Sequence, residues 1–206
     1  EGTLRQVPLP LHSSVAGMLQ GQIVVRVDEH WSHDGQRFAQ GSVVAIDPAD
    51  FSTELVYQPA PGEAVSEVLL GDKRVHLQIL DNVIGRARQV IKEDGEWKVR
   101  TLDLPDNGVV TLVSVSGDDD SLLVSFESLT VPDSLYLAGA DGSLAKAYSL
   151  PAFYDASEVE VSQRFAISKD GTRIPYFVMG RKDVLAKGNA PTIQYGYGGF
   201  LIPILP

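Results

Sequence analysis

Apolar residues along this chain fall in short runs, about four to eight positions long and rich in β-branched types. Examples are Gln22-Ile23-Val24-Val25-Arg26-Val27, Ser42-Val43-Val44-Ala45-Ile46, Val75-His76-Leu77-Gln78-Ile79-Leu80 and Ser121-Leu122-Leu123-Val124-Ser125-Phe126. Helical periodicity is scarce. Turn signals such as Asp34-Gly35, Asp94-Gly95, Asp106-Asn107-Gly108 and Asp141-Gly142 bound the runs, so the pattern predicts strands joined by hairpins.

The strands recur. An apolar stretch closed by Leu-Pro appears as Val7-Pro8-Leu9-Pro10, Leu102-Asp103-Leu104-Pro105 and Tyr148-Ser149-Leu150-Pro151, with a looser copy at Leu55-Val56-Tyr57-Gln58-Pro59. Successive copies lie about 45 to 50 residues apart, the period of four-stranded propeller blades. Proline suits a strand end, because it cannot donate to the ladder. The pattern therefore predicts the tail of one blade in Glu1–Pro10, then about three more blades. Ser134 to Tyr148 forms the outer hairpin of the last. From periodicity alone, a β-sandwich with regular strand spacing is the alternative.

The texture changes near Tyr154. Glu158-Val159-Glu160-Val161-Ser162 alternates, Ser168-Lys169-Asp170-Gly171-Thr172 supplies a hairpin turn, and Ile174 to Met179 forms the returning strand. A polar loop from Arg181 to Asn189 then leads to an expected apolar strand, Pro191-Thr192-Ile193-Gln194-Tyr195. The chain thus divides into a propeller segment, residues 1–153, and the opening β-meander of a second domain, residues 154–206.

Composition narrows the function classes. The 206 residues carry 17 basic and 27 acidic side chains, a net charge of −10, which repels a phosphate backbone and argues against nucleic acid as partner. No run approaches a membrane span. With no cysteine, disulfides, thiolate zinc sites and cysteine nucleophiles are excluded. Cytoplasmic residence is expected, with the bacterial periplasm as the alternative. The first residue is not Met, so the chain reads as a processed or excised piece.

No Gly-x-Ser-x-Gly elbow is present, and Ser116-Gly117 reads as a blade turn. The four histidines, His12, His30, His33 and His76, all precede the glycine-rich stretch. His30 and His33 have metal-pair spacing but no third ligand, and read as loop residues. His76 reads as a strand residue alternating with the core. Asp118-Asp119-Asp120 lacks the glycine and distal glutamate of a calcium loop and reads as a solvated turn. Neither metal nor cofactor is expected.

One constellation stands apart, Tyr195-Gly196-Tyr197-Gly198-Gly199-Phe200. Glycines let the backbone approach a ligand closely, and a tyrosine hydroxyl there can donate to a developing oxyanion. On physics alone, a strand ending in a glycine-rich turn with packing aromatics fits equally well.

That hexapeptide resembles a motif of the prolyl oligopeptidases. The hairpin Ser168-Lys169-Asp170-Gly171-Thr172-Arg173-Ile174-Pro175 is similar to the family's signature at the expected distance. So is the segment from Ser125-Phe126 to Pro132 and Tyr136. The resemblance covers the chain from about Leu122 onward. Gly199-Phe200, where oligopeptidase B has Ser-Tyr, points to the prolyl branch.

The resemblance implies a seven-bladed propeller covering an α/β-hydrolase domain, with the active site between them. It further implies a serine peptidase that cleaves short peptides on the carboxyl side of proline. Tyr197 matches the tyrosine that completes the oxyanion hole, and Phe200 an aromatic lining the proline pocket. The nucleophilic serine, acid and histidine would all lie beyond Pro206, so this chain alone is expected to be inactive. Leu201-Ile202-Pro203-Ile204-Leu205-Pro206 departs from the polar segment expected there. A truncated propeller is also expected to self-associate through its strand edges. The competing reading is a non-catalytic propeller acting as a binding module.

Overall fold

Sixteen strands and almost no helix make up the chain in a computed structural model, which describes residues 4–206. The first four-stranded sheet comprises β1 (Ser13–Leu19), β2 (Gln22–Val27), β5 (Val43–Ile46) and β6 (Thr53–Tyr57). A short hairpin, β3 (Trp31–His33) and β4 (Gln36–Phe38), is inserted between β2 and β5. The second sheet is a plain meander of β7 (Glu63–Leu70), β8 (Arg74–Asp81), β9 (Ile84–Glu93) and β10 (Glu96–Thr101). The third repeats it with β11 (Gly108–Val115), β12 (Leu122–Ser128), β13 (Ser134–Ala138) and β14 (Leu144–Ser149). These are three propeller blades, as the sequence period predicts, and the three sheets do not close into a ring.

Each proline of the repeat follows the outermost strand of a blade. Pro59 comes after β6, Pro105 after β10 and Pro151 after β14, where the chain leaves one sheet to begin the next. Asp106-Asn107-Gly108 therefore lies at a blade crossing, whereas the sequence reading has it bounding a hairpin.

The first blade meets the second through β1 against β7, and the third meets it through β11 against β7, β8 and β9. Strand alternation supplies both faces of the middle blade. On β8, Val75, Leu77 and Ile79 join the core shared with the first blade, which includes Val24, Val43, Ala45 and Val56. On the opposite face, Ala87 and Leu69 pack against Val110, Leu112, Val124 and Phe126 of the third. Burying a side chain of this size contributes about 1.5 to 3 kcal/mol. The approach is close enough to demand glycine at Gly85, because a methyl there would stand 2.4 Å from the Val110 amide nitrogen.

The outer face of the first blade is covered locally. Trp31 and Phe38 of the β3–β4 hairpin pack on Val25, Val27, Val44 and Ile46, with Leu9 beside them. His33 stacks on Trp31 at 5.1 Å, and its Nε2 lies 3.0 Å from the Phe51 carbonyl oxygen.

Polar contacts cross both blade interfaces. Arg26 on β2 donates to the Val65 and Ser66 carbonyls at 3.0 and 3.1 Å, where a bulge interrupts β7. Between the second and third blades, Asp120 is a correction to the solvated turn expected at 118–120. Its carboxylate is buried, accepts from the Lys73 and Arg74 amides at 3.0 and 3.2 Å, and pairs with the Arg74 guanidinium at 3.1 Å. Asp118 and Asp119 stay in solvent. The aspartate that leaves water is the one that meets two unpaired amides of the neighbouring turn.

His76 lies in the same interface, opposite Gln89 across β8 and β9, and both are buried. Neither ring nitrogen has a hydrogen-bond partner among the described residues. Burial pushes the imidazole down to about 4, against a smaller upward pull from Asp120. The unfolded chain therefore takes up the proton first, near pH 6.5, and the folded chain only near 4. The stability His76 contributes is complete above pH 6.5 and is lost as pH falls towards 4, by about 3 kcal/mol at about 1.4 kcal/mol per unit. Urea melts at stepped pH values are expected to show this slope, and His76→Gln to flatten it. A slope unchanged in the variant would assign the acid sensitivity elsewhere.

Candidate functional site

Beyond the third blade the chain forms a two-stranded hairpin, β15 (Val159–Ile167) and β16 (Arg173–Arg181), paired along its whole length. Its turn follows the local chemistry of Asp-Gly. The Asp170 carboxylate accepts from the Thr172 amide at 3.0 Å, the Gly171 amide donates to the Ser168 carbonyl at 3.0 Å, and Gly171 takes φ 86°. A single helical turn, α1 (Lys182–Leu185), forms within the polar loop expected from Arg181 to Asn189.

The strand expected over residues 191–195 does not form. The segment has no ladder partner, and Ile193 is 96% exposed. Apolar patterning alone does not make a strand, because its amides and carbonyls need a neighbour. Among the described residues, β15 and β16 pair only with each other.

The glycine-rich hexapeptide ends in a short 3₁₀ turn, Gly199–Leu201. Tyr197 folds back over this turn. A methyl group at Gly199 would stand 2.7 Å from the Tyr197 Oη and 3.0 Å from its Cζ. Glycine is thus required if the phenol is to lie against the backbone. Tyr197 is 49% exposed. Phe200 sits on the same turn with φ 56° and its ring 90% exposed. The structure places Tyr197 just before this turn, with its phenol lying over Gly199, and Phe200 within it, with its ring in solvent.

A second polar constellation, which the sequence reading missed, lies where the first blade crosses to the second. Tyr57 at the end of β6 donates to Glu63 Oε2 at 2.6 Å, and Arg88 on β9 pairs with Glu63 Oε1 at 2.5 Å. Arg88 also donates to the Tyr57 hydroxyl, and the Ala60 amide donates to Glu63 Oε2 at 2.9 Å. Burial alone would raise Glu63, but the hydrogen bonds from Arg88 and Tyr57 hold it down to about 2. Burial and the bond to Glu63 raise the Tyr57 phenol. Burial works against the Arg88 charge, yet its bond to Glu63 leaves it raised. The signal was available. Arg88 stands next to the buried Ala87 on β9, and Glu63 follows directly on the Pro59-Ala60-Pro61-Gly62 crossing loop that it fixes.

On the uncovered face of the third blade, Glu127 on β12 is raised by a shared hydrogen bond with Asp133 and by burial. Both line a cleft of about 290 Å³ with Tyr148 and Leu135. No cluster of metal-ligating side chains is present among the described residues, nor a helix long and apolar enough to cross a membrane.

Comparison with known proteins agrees with this architecture. Residues 14–147 match the model of the prolyl oligopeptidase N-terminal β-propeller domain. An uncharacterized peptidase of Sinorhizobium fredii is 35% identical over 97% of this chain, which covers 29% of that protein. A prolyl endopeptidase of Elizabethkingia miricola is 31% identical over 52% of this chain and 16% of its own length. Among solved structures, a prolyl endopeptidase superposes with a TM-score of 0.72 at 27% identity, over 91% of this chain and 27% of its own. A post-proline cleaving enzyme from Rickettsia typhi gives 0.71 at 24% identity, over 87% and 27%. The chain spans less than a third of the length of the relatives that match it throughout. Stacked four-stranded blades, the family's propeller model over most of their length and the glycine-rich motif beyond them together place the chain in the prolyl oligopeptidase family of peptidases.

Proposed function

We propose that this chain is part of a serine peptidase that hydrolyses short peptides on the carboxyl side of proline. In this reading, residues 1–153 are propeller blades, and residues 154–206 open the α/β-hydrolase domain that bears the chemistry. The observation that carries it is the Tyr195–Phe200 segment, with the Tyr197 hydroxyl lying over the Gly199 backbone. A phenol so placed has one donor to give. In acyl transfer, the attacked carbonyl oxygen gains negative charge as the tetrahedral intermediate forms, and that donor stabilises it. Phe200 would offer an aromatic wall to the proline ring. The acid–base and nucleophilic steps belong to a Ser-His-Asp set outside this chain, and the reaction needs neither metal nor cofactor. The propeller's role would be to cover the site, admitting short peptides and excluding folded proteins. Relatives called prolyl endopeptidases, and one called a post-proline cleaving enzyme, support proline as the recognised residue. Residence in the cytoplasm belongs to the same proposal.

Tyr197→Phe, introduced into the complete reading frame, is expected to lower kcat by about two to three orders of magnitude, the cost of one oxyanion donor at about 2.7 to 4 kcal/mol. Turnover of a proline p-nitroanilide peptide measures this, and an undiminished kcat would remove Tyr197 from the mechanism. The 206-residue chain alone is expected to show no saturable turnover of that substrate, since any turnover would require a nucleophile that this reading lacks. The same chain is expected to self-associate through the open face of its third blade, where Leu137 and Tyr148 are exposed. Static light scattering that returned a monomer across concentrations would refute that.

A further inference from the structure

The hairpin β15–β16 presents one largely apolar face. Alternation puts Val159, Val161, Gln163 and Phe165 of β15 on the same side, and the register places Met179, Phe177 and Pro175 of β16 beside them. Gln163 is the exception in the middle of that face, with Phe177 directly opposite and a valine and a phenylalanine two residues to either side. A polar side chain in such a setting needs a partner. It has one across 81 residues of chain. The Gln163 amide donates at 2.6 Å to the Asn82 carbonyl, at the two-residue turn between β8 and β9. Among the described residues, two hydrogen bonds join residues 154–206 to the blades, this one and that from the Tyr154 hydroxyl to the Leu129 carbonyl just after β12, and this one alone comes from the hairpin.

The accepting turn is itself unusual. Asn82 and Val83 take φ 47° and 66°, the conformation of a type I′ hairpin turn, which favours Asn-Gly. Asn82 suits its position, but a β-branched residue at positive φ is strained. The turn is held from the blade side by two contacts. The Asn82 amide donates to the Gly62 carbonyl at 2.8 Å, and its side-chain nitrogen donates to Asp81 Oδ1 at 2.9 Å. Gly62 belongs to the crossing loop that the Glu63 cluster fixes through the Ala60 amide. A continuous set of contacts therefore runs from Arg88 and Glu63, through the crossing loop and the Asn82–Val83 turn, to Gln163.

We infer that the Asn82–Val83 turn is the point at which the second blade receives the hairpin, and that Gln163 is a positioning residue that sets the hairpin's register on it. Apolar faces attract without direction. A half-buried amide between aromatic and β-branched neighbours favours one docking position, because a slip breaks its bond to the Asn82 carbonyl. The segment that follows the hairpin carries Tyr197, so this contact also fixes where the candidate oxyanion donor sits. That consequence rests on the function proposed above, whereas the docking itself does not.

The test uses the complete reading frame with Gln163→Leu, which matches the apolar neighbours and removes the donor, and Gln163→Glu, which sets a carboxylate against the carbonyl. Amide hydrogen exchange over residues 81–85 and 159–167 is expected to speed up severalfold in both variants, with the melting temperature unchanged. Unaltered exchange at 81–85 in both would overturn the inference. So would a loss of global stability that raised exchange throughout all three blades, since Gln163 would then be a general fold residue. Exchange does not depend on catalysis. Absence of peptidase activity in the unsubstituted protein would therefore strike the proposed function and leave the docking contact standing.

Discussion

A four-stranded sheet that is apolar on both faces cannot stand in water, and the rest of this structure follows from that constraint. The middle blade satisfies it fully, with Leu77 and Ile79 turned to one neighbour and Ala87 and Leu69 to the other. The first blade satisfies it on its outer side by carrying its own cover, the β3–β4 hairpin with Trp31 and Phe38. The third blade presents Val113, Leu137 and Tyr148 to solvent on its far side. Blade order therefore determines which polar groups become buried, and those groups in turn hold the blades in register.

Apolar stacking does not by itself choose between one alignment of two sheets and another. Arg26 reaching the bulge of β7 and Asp120 receiving two amides and a guanidinium do so, because each buried polar atom has one geometry in which it is satisfied. The contribution of the Asp120–Arg74 pair to net stability is small by comparison with its contribution to alignment, since desolvating two charges offsets most of their attraction. His76 and Gln89 show the opposite case. They lie in the same interface with ring and carbonyl atoms unpartnered among the described residues, and acid is the condition that exploits this.

The blade rhythm was legible because it rests on local chemistry. Alternation sets the faces, Asp-Gly and Asn turns set the hairpins, and proline ends each outer strand. Asp34-Gly35 and Asp94-Gly95 both adopt the positive φ pairs that such turns require. What could not be read was whatever depends on a partner distant in sequence. Asp120 looks like its two solvated neighbours until the amides of Lys73 and Arg74 are brought to it. Residues 191–195 look like a strand, but they lack the adjacent strand that would make them one. Tyr197 and Phe200 were found through their resemblance to a family motif. The local fold, with the Tyr197 phenol lying over Gly199 and Phe200 in the turn that follows, was not in the pattern.

Three residues break a local rule most plainly. Phe51, Val83 and Phe200 are large or branched side chains at positive φ, where strain costs about 1 to 3 kcal/mol each. Phe51 has an evident compensation. Its ring packs on the outer core of the first blade, beneath the Arg5 guanidinium at 4.3 Å, and its carbonyl meets His33. Val83 sits at the turn that receives the hairpin, so its strain coincides with a tertiary contact the fold needs. Phe200 has neither burial nor such a contact, with nine-tenths of its surface in solvent. Among the described residues no packing of its ring offsets that strain. That combination accords with the proposed role of a wall for a ligand, and it distinguishes Phe200 from Tyr195, which is equally aromatic and largely exposed but lies in unstrained backbone.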